Sequence, residues 1–193
     1  ADMGDTAINA LTLAIPIQML IMALGVGTGV GINAMIAKNL GRGDREQASR
    51  TAGNAIFVTL CYFVLIFIFG LTSANVFIHS QTTDTVIADM GTTYLRIITV
   101  FSLGTLGYMC LEKIVMGTGK TTITMICQLA GAITNIVLDP IMIYGLLGCP
   151  AMGVAGAAWA TVIGQFVSLA VIAVVYFRKG VGLESGMHYL KPE

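Results

Sequence analysis

The sequence predicts an all-α integral membrane protein, a bundle of about five transmembrane helices. Of its 193 residues 56% are hydrophobic and only 10% are charged, and the mean hydropathy is +0.86. A soluble domain carries about 25% charged residues, so this chain is too apolar to fold in water. A helix needs about 20 apolar residues to cross a bilayer, and five runs of this length follow one another along the chain.

Short polar or glycine-rich turns separate the apolar runs and define the predicted helices. The spans are predicted at about 10–37, 52–71, 92–116, 121–146 and 153–177. Together they form one transmembrane bundle over residues 1–179. Residues 180–193 are predicted to be a cytoplasmic interfacial linker that leads toward a second lobe.

The basic residues lie on alternate loops, and only Arg96 lies on the other side of the predicted bundle. Cytoplasmic loops carry an excess of Lys and Arg, so these loops are expected in the cytoplasm of a cell-membrane protein. The chain then begins outside and ends in the cytoplasm, and we expect a preceding helix that this sequence does not contain. The basic residues on the cytoplasmic side are Lys38, Arg42, Arg45, Arg50, Lys113, Lys120, Arg178, Lys179 and Lys191.

Small residues recur every four positions in two of the spans. This spacing lets two membrane helices approach closely, because nothing larger than a methyl or hydroxyl group separates their backbones. The first span has two such pairs, Gly25 with Gly29 and Gly27 with Gly31. The fifth span has a longer seam, made of Gly156, Ala160, Gly164 and Ser168.

Asp139 is the most costly residue of the chain, because it lies inside the fourth predicted span. An ionised Asp near the centre of a spanning helix costs about 3 kcal/mol, so it persists mainly where it faces water, an ion or a partner. Asn135 and Gln128 fall on the same side of this helix. Pro140 follows directly and frees the carbonyl of Ile136, since proline has no N–H. The sequence therefore predicts an inward-facing place for a small cation or a proton.

Depth along the helices brings further polar residues to this place. At 1.5 Å per residue, Asp139 and Thr161 each lie roughly 10 to 12 Å below the outer surface. Polar groups at matched depths on neighbouring helices form an internal site, although polar contacts that hold helices together would look similar. The other residues predicted to line a cavity here are Gln18, Thr99, Gln128 and Gln165.

Two charged residues inside the third span are secondary candidates. Arg96 can reach the membrane surface or pair with Asp89, seven residues earlier on the same face; the alternative is a position in the cavity. Glu112 can form an interfacial ion pair or act as a relay carboxylate. Lys113 follows Glu112 directly, near the end of this span.

Several apparent motifs do not carry a function here. The stretch MGTGKTT, at 116–122, lacks the first glycine of a phosphate-binding loop, because Ile114 stands in its place. The four scattered cysteines have no CxxC spacing, so neither a disulfide framework nor a zinc site is predicted. Both histidines, His79 and His188, lie outside the spans, which argues against a metal enzyme. No enzyme activity, cofactor or nucleic-acid partner is expected.

Four stretches, in their order along the chain, resemble the multidrug and toxic compound extrusion (MATE) transporters, in particular bacterial efflux members. They are GVGTGVGINAMIAKNLGRGDREQA, KIVMGTGKT, NIVLDPIMIYG and PAMGVAGAAWAT. The resemblance implies a twelve-helix fold in two lobes, of which this chain supplies helices two to six of the amino-terminal lobe. It also implies export of amphipathic or cationic small molecules in exchange for Na⁺ or protons.

In that family an ion site of this lobe uses an Asp on helix one, an Asn and an Asp on helix five and a Thr on helix six. The resemblance therefore implies ion or proton coupling at Asn135, Asp139 and Thr161, with Na⁺ as the only metal. The helix-one Asp has no counterpart here, and this piece alone should not transport. The partners implied are the lipid bilayer and the remaining helices of the same polypeptide.

Two other functions were weighed against this one. A related lipid-linked oligosaccharide flippase would need more basic residues inside the spans to hold a pyrophosphate, and only Arg96 qualifies. An intramembrane protease would need two aspartates at one depth. Asp84 and Asp89 lie at the outer boundary, so Asp139 stands alone among the aspartates within this chain.

Overall fold

The computed structural model describes residues 3–148 and 150–178, with the side chains of all but the first two of these. This part of the chain folds into helices and contains no strand. The predicted linker at 180–193 lies outside the described residues. The helices are α1 Met3–Gly41, α2 Arg45–Thr72, α3 Ala74–His79, α4 Thr85–Val100, α5 Leu103–Gly117, α6 Thr121–Tyr144 and α7 Val154–Arg178.

Four of these helices, α1, α2, α6 and α7, are long and apolar enough to cross a membrane. Helices α4 and α5 add a fifth span if the bent pair is counted as one. The predicted fold class, an all-α membrane bundle, is therefore confirmed. The end where α1 meets α2 and α5 meets α6 carries Lys38, Arg42, Arg45 and Lys120, and we call it the basic end.

The third predicted span is two helices rather than one. Helices α4 and α5 meet at Phe101 and Ser102 with a bend of 43°. The Ser102 N–H donates to the carbonyl of Thr99, three residues back, at 3.2 Å. This shorter spacing belongs to the 3₁₀ pattern, which interrupts the α-helical hydrogen bonds. The Ser102 hydroxyl is buried and has no hydrogen-bond partner among the described residues.

Two aspartates set where helices begin, and both helices begin earlier than hydrophobicity predicts. Asp44 accepts a hydrogen bond from the Gln47 N–H at 3.0 Å, so α2 starts at Arg45 and not near 52. The Asp84 carboxylate accepts from the Val86 N–H at 2.9 Å and also from the next N–H, so α4 starts at Thr85 and not near 92. Caps of this kind stabilise polar first turns outside the hydrocarbon.

We predict that Asp84→Ala lowers the free energy of unfolding by about 1 kcal/mol, because α4 loses its N-cap. The matched control is Asp84→Asn, since an Asn oxygen accepts the same hydrogen bonds. Thermal unfolding of the purified protein in detergent checks both variants. An equal loss of stability in the two would show that the cap geometry is not what matters at this position.

The predicted small-residue seam of α7 packs on α6, as the structure confirms. Gly156 lies directly against the Met142 carbonyl. At Gly164, an added Cβ would stand 2.8 Å from the Gly131 carbonyl oxygen. The Ser168 hydroxyl donates to the Cys127 carbonyl at 3.2 Å. Because side chains are absent at these crossings, the two backbones approach closely along most of their length.

The glycine pairs of α1 behave differently from each other. Gly25 packs against Met109 of α5 and Gly29 against the aliphatic stem of Lys113. Nothing within the described residues lies within 4 Å of a Cβ built at Gly27 or Gly31. Only the first of the two predicted pairs therefore joins helices in this part of the chain.

The buried apolar residues form three clusters, and the smallest, Ile21, Ile66 and Leu106 of α1, α2 and α5, lies between the other two along those helices. One buried cluster, toward the basic end, includes Cys127 of α6 and Ile172 of α7. A second, toward the opposite end, includes Ala158 of α7. Thr161 and Gln165 fall between Ala158 and Ile172 on α7, so their polar side chains lie between the two clusters.

Candidate functional site

Asn135 of α6 and Thr161 of α7 meet in the layer between the two apolar clusters. The Asn135 amide donates from Nδ2 to Thr161 Oγ1 at 3.4 Å. The Thr161 hydroxyl in turn donates to the Ala157 carbonyl at 2.9 Å. The Asn135 amide oxygen accepts no hydrogen bond from the other described residues, so it is free to face a ligand. The glycine crossings of α6 and α7 hold these two side chains in register.

Asp139 lies one helical turn beyond Asn135, about 6 Å along α6. Its side chain is partly buried. Within the described residues the carboxylate makes no hydrogen bond and no ion pair. A charge at this depth without a protein partner must be neutralised in another way, because hydrocarbon cannot solvate it.

Tyr94 of α4 lies within electrostatic range of Asp139, and sequence reasoning missed it. Gln18 of α1 donates from Nε2 to the Tyr94 hydroxyl at 2.8 Å. Tyr94 is only 7% exposed and lies close enough to Asp139 to interact with it electrostatically. The hydroxyl accepts from Gln18 and keeps its own proton to donate. A buried tyrosine usually finds a polar partner, and this rule is the signal that could have identified it.

Two cavities adjoin the Asn135–Thr161 contact. We call the first the inner cavity; it has a volume of about 260 Å³ and lies between α5, α6 and α7. The second, the front cavity, has a volume of about 160 Å³ and reaches Gln18 and Thr105. Thr161 and Gln165 line both cavities. The polar side chains of the inner cavity are Tyr108, Gln128, Asn135, Thr161, Gln165 and Ser168.

Thr99 does not line these cavities, contrary to the sequence-based expectation. It is fully buried, and its hydroxyl donates to the Leu95 carbonyl of its own helix at 2.6 Å. Its side chain lies directly against Gly70 of α2, so it faces away from α6. Depth along the helix was not enough to predict this residue, because the direction of its side chain also matters.

The two secondary candidates lie apart from Asp139. Arg96 is exposed, and no ion pair joins it to Asp89 in the part of the chain that the structure describes. Glu112 pairs with Lys113 at 3.3 Å, and their side chains are only 14% and 17% exposed. This pair is therefore more buried than an interfacial ion pair at a helix end.

The donor set at the site fits a hard monovalent cation or a proton. Asp139, Asn135 and Thr161 offer a carboxylate, an amide oxygen and a hydroxyl, which are ligands that hard cations prefer. One carboxylate balances one positive charge. No group of three or more His, Cys, Asp or Glu side chains that could hold a metal ion occurs among the described residues. The three side chains thus offer oxygen ligands and one negative charge.

Comparison with known proteins gives consistent relatives. A family model described as MatE matches residues 1–141. The multidrug export protein MepA of Staphylococcus saprophyticus is 25% identical over 191 residues, which cover 98% of this chain and 42% of that protein. The probable multidrug resistance protein NorM of Thermotoga maritima is 27% identical over 175 residues, which cover 90% and 37%. The chain thus spans less than half the length of these relatives.

Solved structures resemble the chain closely in fold. One is the inward-facing conformation of a multidrug resistance MATE family transporter, with a TM-score of 0.90 and 28% identity over 97% of this chain and 42% of that one. The outward-facing conformation of such a transporter gives a TM-score of 0.89 and 28% identity, over 96% and 41%. The helix arrangement of this chain is therefore similar to one that occurs in both conformations.

Proposed function

The chain belongs to the MatE family, whose model matches 141 of its 193 residues, and on this premise we propose that it takes part in drug export. The proposed activity is secondary active transport, in which amphipathic or cationic small molecules leave the cell in exchange for Na⁺ or H⁺. The relatives are transporters by name, which supports a function other than an enzyme's. The other helices of the whole protein and the lipid bilayer are its structural partners.

A partly buried carboxylate without a protein cation carries the proposal. Asp139 has Asn135 one turn away on its own helix and Tyr94 of α4 within electrostatic range. Leaving a buried charge unpaired is strongly destabilising, so Asp139 gains from binding a proton or a Na⁺ ion. The free oxygen of Asn135 and the hydroxyl of Thr161 add ligands for a metal cation.

Binding at this place can change the balance between two conformations. A ligand shifts such an equilibrium only by its differential affinity for the two states. The likeness to both an inward-facing and an outward-facing structure supports a lobe that keeps its helix order while it moves against the rest of the protein. The bound cation then stabilises the conformation in which Asp139 and the neighbouring ligands contact it best.

The basic end is proposed to face the cytoplasm, in accordance with the placing of Lys and Arg. The protein would then lie in the cell membrane with the first described residues outside. The front cavity offers the polar groups of Gln18 and Gln165 beside the apolar side chains of Met22 and Ile98. This mixture suits an amphipathic molecule.

Transport by the whole protein in proteoliposomes tests the proposal. An imposed pH gradient or an imposed Na⁺ gradient should drive the movement of a fluorescent organic cation such as ethidium. The gradient that works identifies the coupling ion. If neither gradient moves ethidium, while the protein is folded and correctly inserted, the proposed exchange is wrong.

Thr161→Val is predicted to weaken binding of the coupling cation about tenfold, because it removes the hydroxyl that accepts from Asn135. A hydrogen bond that involves a charged group is worth about 1.5–3 kcal/mol, and a tenfold weakening of cation binding corresponds to the lower end of this range. The concentration of cation that gives half-maximal transport is the measurement. Thr72→Val is the control, since it removes an exposed hydroxyl bonded within α2. An equal effect in both variants would contradict a specific role.

A further inference from the structure

A third cavity lies at the basic end, on the side of Glu112. It has a volume of about 330 Å³, and we call it the basic-end cavity. Its polar lining comes from Glu112 of α5 and from Thr121, Thr122, Thr124 and Gln128 of α6. Gln128 also lines the inner cavity. Gln128 therefore stands between the two cavities, which follow one another from Thr161 and Asn135 toward the basic end.

Tyr108 shows that the inner cavity is built for a polar occupant. The residue is only 7% exposed and lines the inner cavity; no hydrogen bond of normal length and angle joins its hydroxyl to the described residues, and Glu112 is the side chain that approaches it for one. A buried hydroxyl without a partner is costly, and a water molecule in the cavity would satisfy it. The polar side chains of the cavity offer such a water the several partners that it needs.

Glu112 follows Tyr108 by four residues, so both lie on one face of α5. The two groups are close enough to interact electrostatically. Lys113 holds Glu112 at 3.3 Å, and the lysine stem packs on Gly29 of α1. The remaining titratable neighbour is Cys127 of α6, which lies beside Tyr108. The ammonium group of Lys113 already balances the charge of this carboxylate, which leaves no net negative charge there for a metal cation.

We propose that the coupling proton reaches the cytoplasm through the inner and basic-end cavities, and that Glu112 is the last carboxylate on its way. This inference rests on the proposed function and adds H⁺ as the ion and a route for it. One proton leaves the carboxyl group of Asp139, enters the inner cavity at Asn135, one turn away on α6, and passes through water there and the Tyr108 hydroxyl. The Glu112 carboxylate takes it up and releases it to water at the basic end. No other bond is made or broken.

The test compares two transport modes of the whole protein in proteoliposomes. Net efflux down a pH gradient requires the proton to be released, whereas exchange of labelled drug for unlabelled drug does not. Glu112→Gln should slow net efflux at least about tenfold, as expected for loss of a proton-transfer group. Drug exchange should continue at the normal rate, and Glu112→Asp should restore part of the net efflux. The control is Glu46→Gln, because Glu46 is exposed and lies on α2.

Tyr108→Phe tests the same proton route if Glu112→Gln does not fold. It removes only the unpartnered hydroxyl, so net efflux should fall several-fold while drug exchange stays normal. Equal loss of both modes in a folded variant, or no change in either, would overturn the proposed route. Wild-type transport that runs on Na⁺ alone would also overturn it and would leave the proposed exchange function intact. Failure of all gradients would instead contradict that function.

Discussion

Asp139→Asn is expected to abolish drug efflux by the whole protein while the protein still reaches the membrane. The variant has nearly the same shape but lacks the negative charge that binds the coupling cation. Drug resistance of an efflux-deficient host should fall to that of cells without the transporter. Folding should survive, because removing a buried charge that has no ion-pair partner relieves a desolvation cost.

The matched control is Asp89→Asn, which removes an exposed carboxylate from α4. Resistance should be unchanged in this variant. Membrane extracts of both variants should contain equal amounts of transporter, measured by immunoblot. If Asp139→Asn cells keep full resistance, Asp139 does not bind the coupling cation, and the function proposed for this site is lost.

Gly131→Ala is expected to lower the free energy of unfolding by about 1–3 kcal/mol. A Cβ at this position would overlap Ser168 Oγ, and it would lie close to the Gly164 carbonyl oxygen, which is backbone. Backbone cannot turn aside as a side chain can, so α6 and α7 must move apart. Gly131 is one turn from Asn135, and the movement should also lengthen the Asn135–Thr161 contact. We therefore expect lower efflux together with a lower melting temperature.

Gly41→Ala is the comparison for this variant. Gly41 ends α1, is exposed, and has nothing within 4 Å of an added Cβ among the described residues. Alanine favours helix over glycine, so this variant should be as stable as the wild type or slightly more so. Equal melting temperatures for the two variants in detergent would show that the α6–α7 crossing is looser than its geometry indicates.

Counting residues along helices predicted much of the site, because α6 and α7 are joined by a short turn. Placing the end of the fourth span near 146 and the start of the fifth near 153 put Thr161 level with Asp139. The structure ends α6 at Tyr144 and begins α7 at Val154, so Thr161 falls roughly midway in depth between Asp139 and Asn135. Its hydroxyl then meets Asn135. A shift of one or two residues at each end accounts for the difference.

Counting residues along a helix gives the depth of a residue but not the direction in which its side chain points. Thr99 was expected to line the cavity, yet its side chain faces Gly70 of α2. The break at Phe101 and Ser102 could not be predicted from hydrophobicity, because apolar residues continue on both sides of it. Tyr94 was missed because it lies just inside the predicted start of the third span, where a tyrosine at the membrane surface is ordinary.

The break between α4 and α5 separates the two tyrosines of the polar layer. Tyr94, beside Asp139, belongs to α4, and Tyr108, beside Glu112, belongs to α5. A continuous helix would carry any tilt of one tyrosine directly to the other. Because the backbone hydrogen bonds are already interrupted at Phe101 and Ser102, α4 can change its inclination while α5 keeps its own. The helix that carries Tyr94 can therefore tilt without carrying Tyr108 with it.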